Sequence, residues 1–171
     1  MRAIFIALLA LGSCGLPGRI QLPDCRPCLG KVIVFIATDC PVSQKYITRL
    51  NEVFLSSHDS VIWTGYVPER KTSADIEQFV RDYQVAFPLV SDKGLRQARA
   101  RKATITPEVF VLDNNGNTVY SGAIDNWFFE LGKYRAHTTS FYLKDGIKAL
   151  LADIPPPVSK TQAVGCFIQQ H

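Results

Sequence analysis

The chain has 171 residues, 47% of them hydrophobic, and a formal net charge of +4 from 19 basic and 15 acidic side chains. This length and composition suit one globular domain with a sizeable core, and they exclude collagen, coiled-coil and disordered classes. The charge is too small to indicate nucleic-acid binding without a basic stripe beside exposed aromatic residues, so we predict no nucleic-acid partner. The densest basic run, RQARARK at 96–102, is typical of a solvated helix face.

The first residues have the pattern of an export signal. One arginine, an apolar run from Ile4 to Leu11 and then small residues form a secretory signal that is too short to span a bilayer as a helix. The junction LGSC resembles a bacterial lipobox. This resemblance implies cleavage before Cys14, a lipid on its thiol, and a membrane-anchored protein facing the periplasm or cell exterior. The alternative is secretion without the lipid. We therefore predict a signal peptide at 1–13 and a tether at 14–28.

Strand and helix patterns alternate after the tether. A β-branched run at 31–37 predicts a strand buried on both faces, and apolar residues at helical spacing after Pro41 predict an amphipathic helix. The later predicted elements are a strand at 60–68, a helix at 73–85 capped by Ser73, an extended piece at 87–92, a short helix at 93–103, a hairpin at 107–124 and a last helix at 139–154. This order predicts an α/β fold with a mixed sheet flanked by helices.

Cys40 lies where the first predicted strand gives way to the first predicted helix. A thiol at a helix N-terminus meets backbone N–H groups without intrahelical partners and the positive end of the helix dipole. Both favour the thiolate, which is the nucleophilic form. Asp39 acts in the opposite direction, because a neighbouring negative charge disfavours a second one. The position favours a reactive thiol over an inert buried cysteine.

The motifs FIATDCPVS at 35–43 and TITPEVFVLDNNGNTVYSG at 104–122 carry a family resemblance. Together they resemble the thioredoxin-like fold over about residues 29–153, and most closely its redoxin branch of AhpC/TSA and peroxiredoxin-like proteins. Cys40 matches the nucleophilic cysteine of the Cys-x-x-Cys motif, and Pro107 matches a cis-proline that packs beside the thiol and shapes the substrate groove. The resemblance implies a thiol–disulfide oxidoreductase acting on protein or small-molecule thiols and disulfides.

The sequence also departs from these relatives. Ser43 stands where the resolving cysteine is expected, so Cys40 cannot form a disulfide within that motif. Peroxiredoxins carry a proline seven residues and a Thr or Ser three residues before the peroxidatic cysteine, where this chain has Ile33 and Ala37. Thr38, one place off, is the residue expected to supply a hydroxyl near the sulfur. Peroxide reduction is therefore the alternative activity. A non-catalytic binding module or metallochaperone is the alternative from another class.

The remaining cysteines are candidate partners for Cys40. The motif CRPC fits a structural or exchange-active disulfide between Cys25 and Cys28, or half of a metal site, although a closed zinc site needs four ligands. Cys166, in the predicted Pro-rich tail at 154–171, either resolves an oxidised Cys40 or pairs with Cys25 or Cys28. We predict no cofactor and no resident metal.

Two carboxylates, Glu108 and Asp125, are further candidates for proton transfer at the thiol. Their positions in and beside predicted turns favour turn and surface groups instead.

Overall fold

The computed structural model describes residues 27–169, so the predicted signal peptide, Cys14 and Cys25 lie outside the described residues. Within 27–169 the chain forms nine strands and four α-helices. In chain order these are β1 Gly30–Phe35, α1 Pro41–Leu55, β2 Ile62–Val67, α2 Ser73–Tyr83, β3 Leu89–Ser91, a 3₁₀ turn Lys93–Leu95, α3 Arg96–Arg101, β4 Ile105–Thr106, β5 Glu108–Asp113, β6 Thr118–Gly122, β7 Phe128–Glu130, β8 Lys133–Tyr134, α4 Tyr142–Ala152 and β9 Cys166–Phe167. None of the helices in this part of the chain is long and apolar enough to cross a membrane.

The strand β1 is the centre of a five-stranded sheet with the order β3-β2-β1-β5-β6. It runs parallel to β2, with Val34 opposite Gly65, and antiparallel to β5, with Val34 opposite Val109. Its β-branched side chains are buried on both faces, as expected for a strand covered by helical layers on both sides. The mixed sheet confirms the predicted fold class.

The core has two parts because successive side chains of β1 point to opposite faces. Val32 and Val34 face a larger cluster with residues from α1, α2 and α4, whereas Ile33 and Phe35 face a smaller cluster around α3. The smaller cluster also contains Leu95, Ala98, Ala103, Phe110, Leu112 and Ile168. A residue of the predicted tail therefore contributes to the core.

The chain after α4 packs on the domain at two places. Beside β6, the Ser121 N–H donates to the Ser159 carbonyl at 3.0 Å, and the Thr161 N–H donates to the Ser121 carbonyl at 3.0 Å. The chain then crosses to β4, where β9 pairs antiparallel with it. Ile168, 8% exposed, anchors this second contact, since burying an isoleucine contributes about 1.5–3 kcal/mol. The segment through residue 169 is thus part of the folded domain.

Helix α2 ends two residues before the predicted end, α3 and α4 are shorter than predicted at both ends, and the cap of α2 also differs from the prediction. Thr72 caps α2, not Ser73: its hydroxyl accepts the Asp75 N–H, and the Asp75 carboxylate accepts the Thr72 N–H. This reciprocal pair provides acceptors for two backbone N–H groups at the start of the helix. It requires a capping residue three positions before Asp75, which is Thr72 and not Ser73. The last helix starts at Tyr142 rather than at 139, and Phe141 before it is 40% exposed.

Candidate functional site

Cys40 is the N-cap residue of α1, directly after the loop that follows β1. Its backbone is extended and its N–H donates to the Ala37 carbonyl at 3.2 Å. Pro41 occupies the first helical position and contributes no N–H, so the amides of Val42 and Ser43 are the N–H groups of the first turn without an intrahelical acceptor. The first turn contains no acidic residue. The helix end therefore favours a negative charge on the Cys40 sulfur.

The backbone before Pro107 faces the Cys40 sulfur. The Thr106–Pro107 peptide bond is cis, as the resemblance implies. The Cys40 Sγ lies 3.2 Å from the Thr106 carbonyl oxygen, 66 residues away in sequence. In the reduced protein a Cys40 thiol can donate to this carbonyl. The two motifs that carry the resemblance thus meet at one sulfur.

Cys166 is the disulfide partner of Cys40 in the structure, at a sequence separation of 126 and a Cα–Cα distance of 6.0 Å. The pairing of β9 with β4 sets this position, because Cys166 lies opposite Thr106 and Phe167 lies opposite Ile105. The Thr106 hydroxyl also donates to the Cys166 carbonyl at 3.3 Å. Of the partners that the sequence left open, the structure brings Cys166 to Cys40. Cys25 lies outside the described residues, so its pairing with Cys28 stays a prediction.

The disulfide opens onto a cleft of about 770 Å³. The cleft is lined by the loop after β2 at 68–71, by the 3₁₀ turn with α3, and by the segment 166–169. The two sulfur-bearing residues differ in exposure, since Cys40 is 2% exposed whereas Cys166 is half-buried. Phe167, beside Cys166, is 78% exposed. Solvent therefore reaches the disulfide mainly from the Cys166 side.

Asp39 is neutralised by a partner that the sequence did not indicate. Its carboxylate accepts a hydrogen bond from the Lys71 ammonium at 2.6 Å. This hydrogen bond raises the pKa of Lys71, so the ammonium stays charged near neutral pH. The lysine offsets much of the opposition that Asp39 offers to a thiolate at Cys40.

Thr38 has a different partner from the one expected. Its hydroxyl donates to the Glu69 carboxylate at 2.6 Å, and its backbone N–H donates to the same oxygen at 2.7 Å. The hydroxyl has one proton, and in this arrangement that proton goes to Glu69 rather than to a sulfur. Thr38 therefore connects the loop before α1 to the loop after β2.

Ser43, at the position of the absent second cysteine, is fully buried. Its hydroxyl has no hydrogen-bond partner among the described residues. The side chain adds no polar contact that the structure records, so the site depends on Cys166 rather than on this position.

Asp125 is not a surface group, so that prediction is wrong. It is 4% exposed and accepts hydrogen bonds from the Tyr46 hydroxyl at 2.7 Å, the Arg49 guanidinium at 3.0 Å and the Trp127 N–H at 2.8 Å. These contacts join the chain after β6 to α1. Burial and the Asp125 hydrogen bond raise the pKa of Tyr46, so the phenol stays protonated as donor.

Glu108 is half-buried directly after Pro107. Burial raises the pKa of its carboxyl, against the effect of the Thr104 N–H, which donates to it at 3.1 Å. Its recorded partners are backbone groups at the start of β4 and not a sulfur. Within residues 27–169, no group of three or more His, Cys, Asp or Glu side chains is placed to hold a metal ion.

Comparison with known proteins agrees with this geometry. Residues 15–121 match the sequence model of the AhpC/TSA family. The chain belongs to the AhpC/TSA family. A comparison with curated protein sequences found no match.

Several solved structures of other proteins have a fold similar to that of this AhpC/TSA protein. It is similar to an uncharacterised conserved protein from Geobacillus kaustophilus, at 21% identity and a TM-score of 0.67 over 86% of this chain and 80% of that one. A hypothetical protein from Sinorhizobium meliloti 1021 gives 19% identity and a TM-score of 0.67 over 83% and 80% of the two chains. MTB dsbF, solved in mixed oxidized and reduced forms, gives 21% identity and a TM-score of 0.54 over 71% and 81%. At these identities the likeness shows the thioredoxin-like fold alone.

Proposed function

We propose that this AhpC/TSA protein is a thiol–disulfide oxidoreductase whose redox pair is Cys40 and Cys166. The observation that carries the proposal is their disulfide at the N-terminus of α1, against the carbonyl that precedes cis-Pro107. A thiol at a helix N-terminus is activated, and a second thiol held beside it converts a mixed disulfide into an internal one. Cys166 thus takes the role that Ser43 cannot take.

The oxidation half-reaction uses this geometry directly. The Cys40 thiolate attacks one sulfur of a substrate disulfide, forms a mixed disulfide and releases the first substrate thiolate. The Cys166 thiolate then attacks the Cys40 sulfur, forms the Cys40–Cys166 bond and releases the second substrate thiolate. Two electrons pass from the cysteine pair to the substrate, and the two cysteine protons go to solvent or to the released thiolates. Strand pairing holds Cys166 in place, which supplies a high effective concentration for the second step.

Peroxide reduction is the second candidate, and membership of the AhpC/TSA family favours it. In that reaction the Cys40 thiolate attacks a peroxide oxygen and releases water or an alcohol. Cys166 then condenses with the Cys40 sulfenic acid and releases water. We rank it second because the Thr38 hydroxyl, the expected donor near the sulfur, is bonded to Glu69.

We further propose that the protein is exported and anchored by a lipid on Cys14. The support is the sequence pattern at 1–13 together with a disulfide in the folded domain, since disulfides persist mainly outside the cytosol. Cys25 and Cys28 then form a second disulfide in the segment between the anchor and the domain. Its role is structural or that of an internal electron donor.

Thiol mapping tests the redox assignment. The reduced protein is treated with one equivalent of hydrogen peroxide or of a peptide disulfide, quenched with an alkylating reagent and mapped by mass spectrometry. We expect Cys40 and Cys166 to become protected together, and we expect Cys40→Ser to abolish exchange. The double variant Cys25→Ser/Cys28→Ser is the matched control and keeps the Cys40–Cys166 bond. A bond from Cys40 to Cys25 or Cys28, or full activity in Cys40→Ser, would show that the assignment is wrong. The faster of the two oxidants identifies the preferred reaction.

A further inference from the structure

The cleft beside the disulfide has an excess of positive charge. Its four cationic residues are Arg70, Lys71, Lys93 and Arg99. Its acidic residues are Asp39, Glu69 and Asp92. The basic run at 96–102, predicted to be a solvated helix face, lies mostly in α3 and adds further positive charge next to the cleft. No acidic residue occurs between positions 93 and 107.

The three carboxylates all form ion pairs or hydrogen bonds with other groups of the protein. Asp39 is paired with Lys71, and Glu69 accepts both hydrogen bonds from Thr38. Asp92 is 4% exposed and accepts two backbone N–H groups at the start of α3, each at 2.9 Å. Each of them therefore already has a partner within the protein, Asp39 at the surface and Asp92 in the interior.

Arg70 and Lys93 differ from these carboxylates. Both are exposed, and neither forms an ion pair with a residue in the described range. They line the same cleft from two different segments, Arg70 in the loop after β2 and Lys93 in the 3₁₀ turn. An arginine presents a planar donor pair that matches a carboxylate, and a lysine adds a compact charge. A molecule in the cleft meets positive charge from both segments.

The accessible sulfur of the disulfide defines where such a molecule reacts. Cys40 Sγ is screened, because the residue is 2% exposed, whereas half-buried Cys166 borders the cleft. Attack at Cys166 expels the Cys40 thiolate, which the N-terminus of α1 stabilises as a leaving group. The accessibility of Cys166 and the stability of the Cys40 thiolate as leaving group thus both favour attack at the Cys166 sulfur.

We infer that the cleft binds a small thiol bearing carboxylates, and that this thiol reduces the protein by attacking Cys166. The inference rests on the proposed redox pair and names the class of its electron donor. The donor thiolate forms a bond to the Cys166 sulfur while the Cys40–Cys166 bond breaks and Cys40 leaves as thiolate. A second donor thiolate attacks the sulfur of the bound donor, releasing the donor disulfide and the Cys166 thiolate. Two donor thiols are oxidised, one protein disulfide is reduced, and the two protons pass to the cysteine thiolates through solvent.

The size of the cleft supports a small molecule. A volume of about 770 Å³ lies in the range of small-molecule sites, about 300–1,000 Å³. The exposed ring of Phe167 beside Cys166 gives the aliphatic part of the donor an apolar contact. A thiol with one or two carboxylates fits these two requirements together.

A charge series of small thiols tests the inference. The oxidised full-length protein is reduced under stopped flow by mercaptosuccinate, 2-mercaptoethanol or cysteamine, and each rate constant is expressed per thiolate and corrected for the pKa of the thiol. We expect mercaptosuccinate to react about tenfold faster than 2-mercaptoethanol at low salt, and cysteamine to be slowest, because clefts of one charge concentrate ligands of the other. The preference should disappear at high salt, where charges are screened.

Charge variants and adduct mapping complete the test. Arg70→Gln/Lys93→Gln should reduce the preference for mercaptosuccinate to about twofold or less. The matched control, Arg96→Gln, removes a charge from α3 outside the cleft and should keep the preference. Acid quenching during the reaction should trap the donor on Cys166. Equal rates for the three thiols, an unchanged preference in the double variant, or an adduct on Cys40 would overturn the inference. Failure of excess dithiothreitol to reduce the disulfide would instead contradict the proposed redox pair.

Discussion

The close approach of Gly165 to Thr106 predicts that a single methyl group can separate the redox pair. A Cβ atom at Gly165 would collide with the Thr106 carbonyl oxygen and lie 2.7 Å from the carbonyl carbon. Carbon–carbon contacts need about 3.5 Å, so in Gly165→Ala the strand β9 must move away from β4 by about 1 Å. The glycine has no left-handed backbone conformation, so alanine adds no strain of its own.

A displacement of about 1 Å at a reacting group can cost about 100-fold in rate. We therefore expect Gly165→Ala to close the Cys40–Cys166 disulfide about 10- to 100-fold more slowly than the unmodified protein. The assay starts from reduced protein, adds a fixed excess of oxidised glutathione, and quenches with an alkylating reagent at set times. Gln162→Ala, an exposed change in the same tail segment, is the matched control and should close at the normal rate. If Gly165→Ala closes as fast as this control, strand pairing does not position Cys166 and the reasoning fails.

Three further changes test stability and pH dependence. Cys166→Ser should lower the free energy of unfolding of the oxidised protein by about 2–5 kcal/mol, because it opens a loop whose ends have a sequence separation of 126; equal urea midpoints would contradict this. Tyr46→Phe should cost about 1–3 kcal/mol in the same assay, because the buried Asp125 carboxylate loses its hydroxyl donor; a cost near zero would show that the network is not stabilising. Burial raises the pKa of Glu108, so the folded state binds its proton more tightly than the unfolded state. The stability of the unmodified protein should therefore fall relative to Glu108→Gln as pH rises from about 4.3 through the folded pKa, and a rising difference would refute it.

The sequence predicted best where a pattern was local and long. The strand β1 and the helix α1 have regular runs of apolar residues, and Pro41 marks the first turn of the helix. The cis-proline at Pro107 followed from the family resemblance and is confirmed. Each of these features depends on residues that are close together in the chain or on a single motif. Such local patterns can be read from one sequence.

Contacts between distant short segments were less accessible to prediction. The strands β4 and β9 have two residues each, which is too short for any periodicity, and their pairing alone selects Cys166 among the possible partners of Cys40. Nothing local to Cys166 distinguishes this pairing from one with Cys25 or Cys28. The structure was required because the register of two short strands is a tertiary property.

Polar side chains also found partners that spacing does not indicate. Thr38 bonds Glu69 across 31 residues, and Asp125 bonds Tyr46 across 79 residues. The segment that holds Asp125 contains polar residues and a turn, so exposure was the natural expectation, and burial under α1 overrides it. Lys71 likewise reaches Asp39 only because the loops after β1 and β2 end on the same edge of the sheet.

The Cys40–Cys166 bond closes a covalent ring that contains all four α-helices of the described residues and every strand from β2 to β8. During synthesis, Cys40 emerges 126 residues before Cys166, so for most of that time its partner in the folded domain is absent. The internal bond forms once β4 and β9 have come together, which requires a folded sheet. A chain that lacks β9 therefore has Cys40 without this partner, and that thiol stays open to exchange with outside disulfides.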